Sequence, residues 1–371
     1  MKIGVAKEIK NHEYRVGLSP ASAKELVNNG HEVTISTGAA DGIGLTDDAY
    51  IAVGAKIASS NEAIFAESEM VVKVKEPQPN ECKQLSAGQL LFTYLHLAPD
   101  ALQTQLLLES GVTAVAYETV TGPNNSLPLL APMSEVAGRL AAQAGAHCLE
   151  KAQGGSGVLM GGVPGTEPAK VLVIGGGVVG QNAAYIAAGM GAQVTILDRS
   201  VPKLRELDAL FQGRAKCIYS TAEALEQHAA QADLLIGAVL IPGASAPKLV
   251  TREIIKTMKP GSVMVDVAID QGGCFETSRA TTHQDPTFMV DNVVHYCVAN
   301  MPGAVPQTST YALNNATLPF AISLANHGWK EAMRRDPHLL NGLNVHAGKL
   351  TYEAVAQAQN LEFTDPKSLI A

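Results

Sequence analysis

An apolar run followed by a glycine-rich turn lies near the middle of the chain. The run Val171–Ile174 has the length of a buried strand and is too short for a helix. A helix-like pattern follows from Val178 to Met190 and stops at Gly191. A second β-rich run, Val194–Leu197, then ends on Asp198. The pattern predicts a strand, a turn, a helix and a second strand in succession.

The predicted turn carries Gly175, Gly177 and Gly180 in G-x-G-x-x-G spacing. In a dinucleotide-binding turn, the first glycine permits the tight turn, the second lets backbone approach the pyrophosphate, and the third permits close helix–strand packing. Free N–H groups at the helix start attract phosphates. Asp198 lies where an acid hydrogen-bonds the ribose hydroxyls. The whole succession predicts a dinucleotide site; the alternative is a packing turn that binds nothing.

Asp198 also bears on which dinucleotide is bound. Its carboxylate would repel the 2′-phosphate of NADP, which favours NAD. The neighbouring Arg199 argues the other way, because an arginine there can accommodate that phosphate. The acid is expected to dominate, so the predicted cofactor is NAD.

Strands and helices alternate through both halves of the chain, which predicts parallel sheets and an α/β fold. Predicted strands are Lys2–Ala6, His31–Ser36, Met70–Val74, Leu90–Tyr94, Thr113–Ala116, Lys216–Ile218, Leu234–Ile236, Val263–Asp266 and Phe288–Val290. The first predicted helix has Ser19 as its N-cap and Pro20 as its first residue, and it ends before Gly30. The other predicted helices are Pro99–Ser110, Met133–Ala152 and Pro306–His327. The last helix is expected to return the chain to its first domain. Residues 1–128 and 306–371 are predicted to form a substrate and catalytic domain, and residues 129–305 an NAD-binding domain.

Composition narrows the class of protein. The chain has 371 residues, of which 46% are hydrophobic and 17% charged, so a large core can be buried. A net charge of −8 without a basic stripe makes nucleic acid an improbable partner. No apolar run approaches the ~20 residues of a membrane helix, and the first residues are charged where a signal peptide is apolar. Five cysteines without a C-x-x-C pair indicate reduced thiols, and a cytoplasmic location is expected.

Two cations fall at the predicted carboxyl ends of strands, where open α/β sheets bind ligands. Arg15 lies in the loop after the first strand, and its guanidinium offers a bidentate fit to a carboxylate. Lys75 ends a run in which alternation places Lys73 and Lys75 on one face, and Pro77 breaks the strand directly after it. The alternatives are a surface arginine and a solvated lysine.

A histidine and an aspartate occupy similar positions. His96 closes the predicted strand L-L-F-T-Y-L-H and suits proton transfer, although a core histidine is the alternative. Asp270 follows Val263–Ile269, read as a strand of the cofactor domain; Gly272 and Gly273 also make a turn aspartate credible. The other histidines form no H-E-x-x-H or Cys/His spacing, so no metal site is predicted.

Several segments together resemble the alanine dehydrogenase family, which is related to the nucleotide-binding part of proton-translocating transhydrogenase. They are KEIKNHEYRVGLSP, VKVKEPQ, LFTYLHLA, APMSEVAGR, VLVIGGGVVG, VDVAIDQGG and NMPGAVPQTST, and the resemblance covers essentially the whole chain. It implies two Rossmann-like, doubly wound parallel-sheet domains flanking a cleft. It also implies NAD-dependent interconversion of L-alanine with pyruvate and ammonium, in a homo-oligomer that is commonly a hexamer.

The resemblance also assigns roles to residues. Arg15 and Lys75 match the family's substrate-binding pair, and His96 and Asp270 match its catalytic residues. Further positions match family contacts to NAD. They are Ser134, Val178, Val179, Asp198, Lys203, Ser220, Val239, Leu240, Val267, Ala268, Ile269, Asp270, Arg279, Val298, Ala299, Asn300 and Met301.

Three other functions stay open at this point. A transhydrogenase nucleotide domain would pass hydride between NAD and NADP with a membrane partner and no amino-acid pocket. A non-enzymatic NAD sensor would be expected to lack a catalytic side chain. A dehydrogenase for a larger amino acid, such as the saccharopine type, would differ in pocket volume. The sequence also leaves open the favoured direction, the tolerance for other 2-oxo acids, the role of Asp270 and the oligomeric state.

Overall fold

The chain forms two compact units. The computed structural model describes residues 1–239 and 247–371. The first unit comprises Met1–Met133 and Val305–Ala371, and the second comprises Ser134–Ala304. The first unit is therefore built from two separate parts of the chain.

Strands in the described residues are numbered in chain order. They are β1 Lys2–Val5, β2 Glu32–Ser36, β3 Lys56–Ala58, β4 Met70–Val72, β5 Leu90–Thr93, β6 Thr113–Ala116, β7 Lys170–Ile174, β8 Gln193–Asp198, β9 Ala215–Tyr219, β10 Leu234–Gly237, β11 Val263–Asp266, β12 Thr287–Val290, β13 Val293–Tyr296, β14 Leu343–His346 and β15 Lys349–Leu350.

The α-helices in the same ranges are numbered in the same way. They are α1 Pro20–Asn28, α2 Asp47–Ile51, α3 Asn61–Glu67, α4 Pro79–Cys82, α5 Ala101–Ser110, α6 Ala131–Cys148, α7 Val178–Gly189, α8 Val201–Phe211, α9 Ala222–Gln231, α10 Arg252–Thr257, α11 Pro306–Arg335, α12 Pro337–Leu340, α13 Glu353–Gln359 and α14 Lys367–Ile370.

The sheet of the first unit has the order β15-β14-β6-β5-β4-β1-β2-β3. Strands β1 to β6 pair in parallel, and β14 pairs antiparallel with both β6 and β15. The chain leaves β1 toward β2 and β3, then returns to β4 on the other side of β1. The carboxyl edge between β1 and β4 is thus a topological switch point, where doubly wound sheets bind ligands.

The sheet of the second unit repeats this order, as β12-β13-β11-β10-β7-β8-β9. All its pairs are parallel except β12 with β13. The switch point lies between β7 and β10, and the glycine turn follows β7. The prediction of an α/β fold with two mainly parallel sheets is confirmed.

Each sheet is covered by its own apolar core. Val71, Leu91 and Ala114 of adjacent strands are buried in the first unit, and Leu107 of α5 packs in the same cluster. Leu172 and Leu235 belong to the core of the second unit, together with side chains of α9 and α10. Burying such side chains stabilises a fold by about 1.5–3 kcal/mol each.

Helix boundaries follow their local signals closely. Ser19 accepts a hydrogen bond from the backbone N–H of Ser22, and Pro20 begins α1, as predicted. Gly111 ends α5 with φ +69°. Helix α6 ends at Cys148, before the predicted Ala152. Helix α11 continues past the predicted His327 to Arg335 with a break at Gly328, whose φ is +70° and ψ 160°.

Two strand predictions at the candidate site are wrong in detail. Strand β4 ends at Val72, so Lys73 and Lys75 do not share a strand face; Lys73 is fully buried and Lys75 half-buried. Strand β11 ends at Asp266, and Val267–Gln271 form a 3₁₀ turn rather than more strand. In both places an apolar run continues past the strand because the following turn is also buried.

Candidate active site

The glycine turn after β7 contains three glycines under different steric constraints. Gly175 has φ +96°, and a Cβ there would lie 2.7 Å from the carbonyl oxygen of Ala238. A Cβ on Gly180 would lie 1.8 Å from the carbonyl oxygen of Gly175, so only glycine lets α7 pack this closely on the turn. A Cβ on Gly177 would meet no atom within 4 Å. Space is therefore open at the start of α7, and the turn fits the pyrophosphate of a dinucleotide.

The carboxylate of Asp198 is fixed beside this turn. Its Oδ2 accepts the backbone N–H of Gly176 at 2.7 Å, and its Oδ1 accepts that of Ser200 at 2.7 Å. The backbone N–H of Ser220 donates to the carbonyl oxygen of Asp198 at 2.9 Å. Each carboxylate oxygen keeps further acceptor capacity. The group is therefore oriented and still able to accept from ribose hydroxyls.

Two other predicted contacts lie around the same turn. Val239 follows β10, and its Cγ2 would be 3.1 Å from a Cβ on Gly175. The ammonium of Lys203 bonds the carboxylate of Glu206, and its Cγ would be 3.5 Å from a Cβ on Gly176. Leu240 lies outside the described residues. Val239 and Lys203 thus border the glycine turn, and their contact with a cofactor stays a prediction.

The turn that carries Asp270 is held by a buried aspartate. Asp266 ends β11, and its carboxylate accepts the backbone N–H groups of Cys274 and Phe275 and the hydroxyl of Ser278. Asp270 itself is exposed on the 3₁₀ turn. Asp266 therefore sets the path of the chain that presents Val267–Asp270 at the carboxyl edge of the sheet.

The remaining predicted cofactor residues lie on separate segments of the second unit. The guanidinium of Arg279 stacks 4.3 Å from the ring centroid of Phe288. The carbonyl oxygen of Asn300 accepts from Nε2 of His283 at 2.7 Å, and Met301 is buried beside it. Ser134 begins this unit, half-buried on α6. Their contact with a cofactor stays a prediction, as does that of Val178, Val179, Val298 and Ala299.

In the first unit, Arg15 is a buried cation with a fixed counter-ion. Its Nε and Nη2 donate to the two carboxylate oxygens of Glu13 at 2.6 and 2.5 Å, and its Nη1 donates to Sδ of Met133 at 3.1 Å. Burial alone would lower the pKa of Arg15, but the adjacent Glu13 raises it. A bidentate pair of this kind fixes the guanidinium plane. The surface-arginine alternative is excluded, since Arg15 is only 2% exposed.

Lys75 lies in a network of alternating charges. Its backbone N–H and that of Val74 donate to Oε1 of Glu8 at 3.3 and 2.7 Å, and its ammonium lies 3.4 Å from Oε2 of Glu76. Burial would raise the pKa of Glu76, yet Lys75 and Lys10 hold it at about 2. Lys75 is therefore a half-buried cation whose backbone is held by the carboxylate of Glu8.

The buried lysine next to it has a structural role. Lys73 donates to Glu8 at 3.1 Å and to Glu81 at 2.9 Å. Burial would lower the pKa of Lys73, but both carboxylates raise it. The triad satisfies a buried charge and ties the loop after β1 to the end of β4.

His96 occupies a left-handed turn beyond the end of β5. Its φ is +50°, and its backbone N–H donates to Oε1 of Glu118 at 2.6 Å. Its ring stacks on Tyr94 with centroids 5.7 Å apart and an interplanar angle of 7°. Tyr94 is buried and donates to the carbonyl oxygen of Leu129 at 2.5 Å. The core alternative is excluded, since the His96 side chain is 39% exposed.

These side chains gather at the carboxyl edge of the first sheet. Thr93 Oγ1 donates to the carbonyl oxygen of Lys75 at 3.1 Å, which joins the ends of β4 and β5. Burial raises the pKa of Tyr94 well above its usual range, and nearby Arg15 opposes the shift. A cavity of about 350 Å³ lies beside Arg15, lined also by Glu8 and Glu13. Neither Lys75 nor His96 lines this cavity.

Sequence reasoning missed four residues of this group, namely Glu8, Glu13, Tyr94 and Glu118. Glu118 follows β6 by two residues, at the same carboxyl edge that singled out His96, so the same rule could have found it. Tyr94 precedes His96 in an apolar run and reads as core. Nothing local indicates that Glu8 and Glu13 are buried, because their partners come from elsewhere in the fold.

Residues 1–239 and 247–371 carry neither a metal-binding cluster nor a membrane-spanning helix. No group of three or more His, Cys, Asp or Glu residues there could hold a metal ion. Among the same residues, no helix combines the length and apolar character needed to span a membrane. The five cysteines are free thiols.

Fold and site together define a two-unit α/β protein with a glycine-rich turn of the dinucleotide-binding type in one unit and a buried arginine near the carboxyl edge of the sheet in the other. Residues 4–137 match the N-terminal domain of the alanine dehydrogenase/PNT family, and residues 141–353 match its C-terminal domain. The chain belongs to this family.

Individual relatives are similar to this chain over nearly its full length. An alanine dehydrogenase of Halomonas elongata is 60% identical over 370 residues, covering 100% of both chains. A solved L-alanine dehydrogenase is 54% identical, with a TM-score of 0.94 over 97% of this chain and 99% of the other. A solved transhydrogenase from Sinorhizobium meliloti is 25% identical, with a TM-score of 0.81 over 95% and 100%.

Proposed function

We propose that this protein is an alanine dehydrogenase, which interconverts L-alanine with pyruvate and ammonium using NAD. The observation that carries the proposal is the buried Arg15–Glu13 pair at the same sheet edge as the stacked Tyr94 and His96. It provides a fixed cation for a carboxylate beside a side chain that can transfer protons. Full-length relatives that carry the same enzyme name support it.

The second unit would hold the cofactor. The turn at Gly175–Gly180 fits a pyrophosphate, and Asp198 favours the unphosphorylated ribose of NAD over that of NADP. The segments Val267–Asp270 and Val298–Met301 would contact the nicotinamide half. When bound, NAD supplies the acceptor or donor of hydride at the substrate Cα.

In the first unit, Arg15 and Lys75 would bind the carboxylate shared by alanine and pyruvate. Glu13 holds Nε and Nη2 of Arg15, which fixes the plane of the guanidinium that would face the carboxylate. Lys75 adds a second cation on a fixed backbone. Holding the substrate in register can contribute roughly 7–11 kcal/mol to catalysis.

His96 would move protons as water adds to the imine carbon and ammonium leaves. Its ring is half-buried, and its orientation is set by the stack on Tyr94. Positioned proton transfer contributes typically ~10²–10⁴-fold. Asp270 would orient water or the amino group during these steps.

The wider organisation belongs to the same proposal. The first unit would be the substrate and catalytic domain, with predicted limits 1–128 and 306–371, and the second the NAD domain, with predicted limits 129–305. The protein is expected in the cytoplasm as a homohexamer. Both expectations come from the resemblance and the composition.

The transhydrogenase alternative is weaker. The solved transhydrogenase shares 25% identity with this chain, whereas the solved L-alanine dehydrogenase shares 54%. A transhydrogenase would also have no use for the carboxylate-binding Arg15. The saccharopine-type alternative would need room for a much longer side chain.

The test is NADH oxidation by the purified full-length protein with pyruvate, with and without ammonium. We expect oxidation that requires ammonium and that is faster with NADH than with NADPH. A second assay offers NADH and NADP without pyruvate. No ammonium-dependent turnover in the first assay would overturn the proposal, and hydride exchange in the second would favour a transhydrogenase.

A further inference from the structure

A cavity opens at the amino edge of the second sheet, the edge opposite to the glycine turn. Its volume is about 470 Å³, and it lies at the starts of β7, β8 and β9. Its walls include Lys170, Thr195, Arg214, Lys216 and His228. Nothing in the proposed reaction uses this edge.

Strand register puts the polar side chains of this cavity on one face. Thr195 pairs with both Leu172 and Lys216, and Lys170 lies two residues before Leu172. This face packs on α9, because Leu172 shares a core cluster with Ala229. His228 precedes Ala229 on α9, so it borders the cavity from the helix side.

The pKa of the His228 imidazole also indicates that Lys216 lies close to it. His228 is half-buried, and burial followed by the positive charge of Lys216 lowers its pKa. Lys216 and His228 therefore face each other across the cavity, one from the sheet and the other from α9.

The lining of the cavity is positively charged, whereas the chain as a whole is negatively charged. Lys170, Arg214 and Lys216 are its charged side chains, and no Asp or Glu lines it. In the part of the chain that the structure describes, none of these three cations forms an ion pair. Lys170 is half-buried, Arg214 and Lys216 are exposed, and Nε of Arg214 donates to the carbonyl oxygen of Phe211 at 3.1 Å. The whole chain carries a net charge of −8.

We propose that this cavity binds a small multivalent anion with phosphate or carboxylate groups, at a site separate from the dinucleotide turn. Lysine and arginine supply charge-assisted donors for such groups, and Thr195 adds a hydroxyl. The volume falls within the usual range for small-molecule sites, ~300–1,000 Å³. A bound anion would neutralise cations that otherwise repel one another across the concave surface.

The test is equilibrium dialysis of the full-length protein with labelled pyrophosphate, at low ionic strength, with and without saturating NADH. Labelled citrate forms a second arm, which separates phosphate from carboxylate recognition. We expect pyrophosphate or citrate binding that NADH does not displace. Lys216→Gln should weaken it by about tenfold or more, and Lys216→Arg should retain it.

Lys151→Gln is the matched control, because it removes the same charge from an exposed lysine of the same unit that does not line the cavity. His228→Asn supplies a second variant if Lys216→Gln does not fold. Equal loss of binding in Lys151→Gln and Lys216→Gln would reduce the effect to general attraction of anions and overturn the site. Complete displacement by NADH would overturn it as well, since the dinucleotide turn would then be the binding site.

Discussion

Glu118 accepts the backbone N–H of His96 at 2.6 Å, and its Oε1 also lies 3.9 Å from Nδ1 of the same histidine. Its carboxylate accepts the backbone N–H of Leu95 as well. One acidic side chain therefore holds the left-handed turn that presents His96. Left-handed backbone is unfavourable for most residues, so a turn of this kind needs such a partner.

Replacing His96 by asparagine separates its chemistry from its backbone. Asparagine tolerates positive φ, so His96→Asn should fold with a midpoint of thermal unfolding close to wild type. Because the imidazole is lost, kcat should fall by ~10²–10⁴-fold. Steady-state kinetics and thermal unfolding measure both. His147→Asn is the control, since that side chain is 60% exposed. Unchanged kcat in His96→Asn would remove His96 from the mechanism.

Replacing Glu118 by glutamine tests whether the turn positions His96. The amide group of glutamine would face backbone donors with a donor of its own, which should lower the free energy of unfolding by about 1–3 kcal/mol. Displacement of His96 should lower kcat by about tenfold or more while the Kd for NADH stays unchanged.

Glu67→Gln makes the same chemical change at an exposed position of the first unit. Glu118→Asp keeps the charge and should restore part of kcat. If glutamine lowers stability but leaves kcat as in wild type, Glu118 is structural only and does not position the histidine.

Two glycines of α7 and its turn form a matched pair for the nucleotide site. A Cβ on Gly177 or on Gly189 meets no atom within 4 Å, so both alanine variants should fold. Gly177→Ala should weaken NADH binding by about tenfold or more, because its methyl group fills the space needed by the pyrophosphate. Gly189→Ala should leave binding unchanged and stabilise the helix by up to about 1 kcal/mol. Fluorescence titration with NADH measures the affinity of each variant. Equal affinities for the two variants would contradict pyrophosphate binding at this turn.

Glu76 should make the protein sensitive to acid. Its pKa falls from the usual 4.5 to about 2 in the folded state, since Lys75 and Lys10 outweigh burial. A lowered folded-state pKa stabilises the protein above about pH 4.5, and this contribution is lost as pH falls toward 2. Between pH 6 and pH 2, wild type should therefore lose about 3 kcal/mol more stability than Glu76→Gln.

Urea unfolding at several pH values measures that difference. Glu67→Gln again serves as the control, because it removes an exposed carboxylate and should keep the wild-type pH dependence. Parallel stability curves for wild type and Glu76→Gln would show that the two lysines do not hold the carboxylate charged.

Local signals predicted the parts of the fold that depend on neighbouring residues. The strand, turn and helix at β7 and α7 were predicted within a residue or two, and Ser19 and Pro20 marked the start of α1. Strands β3, β13, β14 and β15 were not predicted. Each is short, and β14 carries Asn344 and His346, whose polar groups are satisfied by Thr119 and Thr113 far away in the chain.

The candidate site shows the same limit. The positions Arg15, Lys75 and His96 were recognisable because each follows a strand that can be read from its apolar run, although the last residue of that strand cannot. Their supports were not, since Glu13, Glu8 and Glu118 are ordinary acids until the fold brings them to their partners. Lys73 is the plainest case: its burial depends on Glu8 and Glu81, which lie 65 residues before it and 8 after it.

The pairing of β14 with β6 has a consequence for synthesis of the chain. Residues 134–304 are contiguous, so the second unit can fold as soon as they leave the ribosome. The sheet made by the first 116 residues must keep β6 as an unpaired edge until residues 343–346 are translated. The nascent protein thus carries one finished and one unfinished domain for the time needed to add roughly 40 residues, about 2–8 s at elongation rates of ~5–20 residues per second. Chaperones that shield strand edges would act on the N-terminal half during that interval.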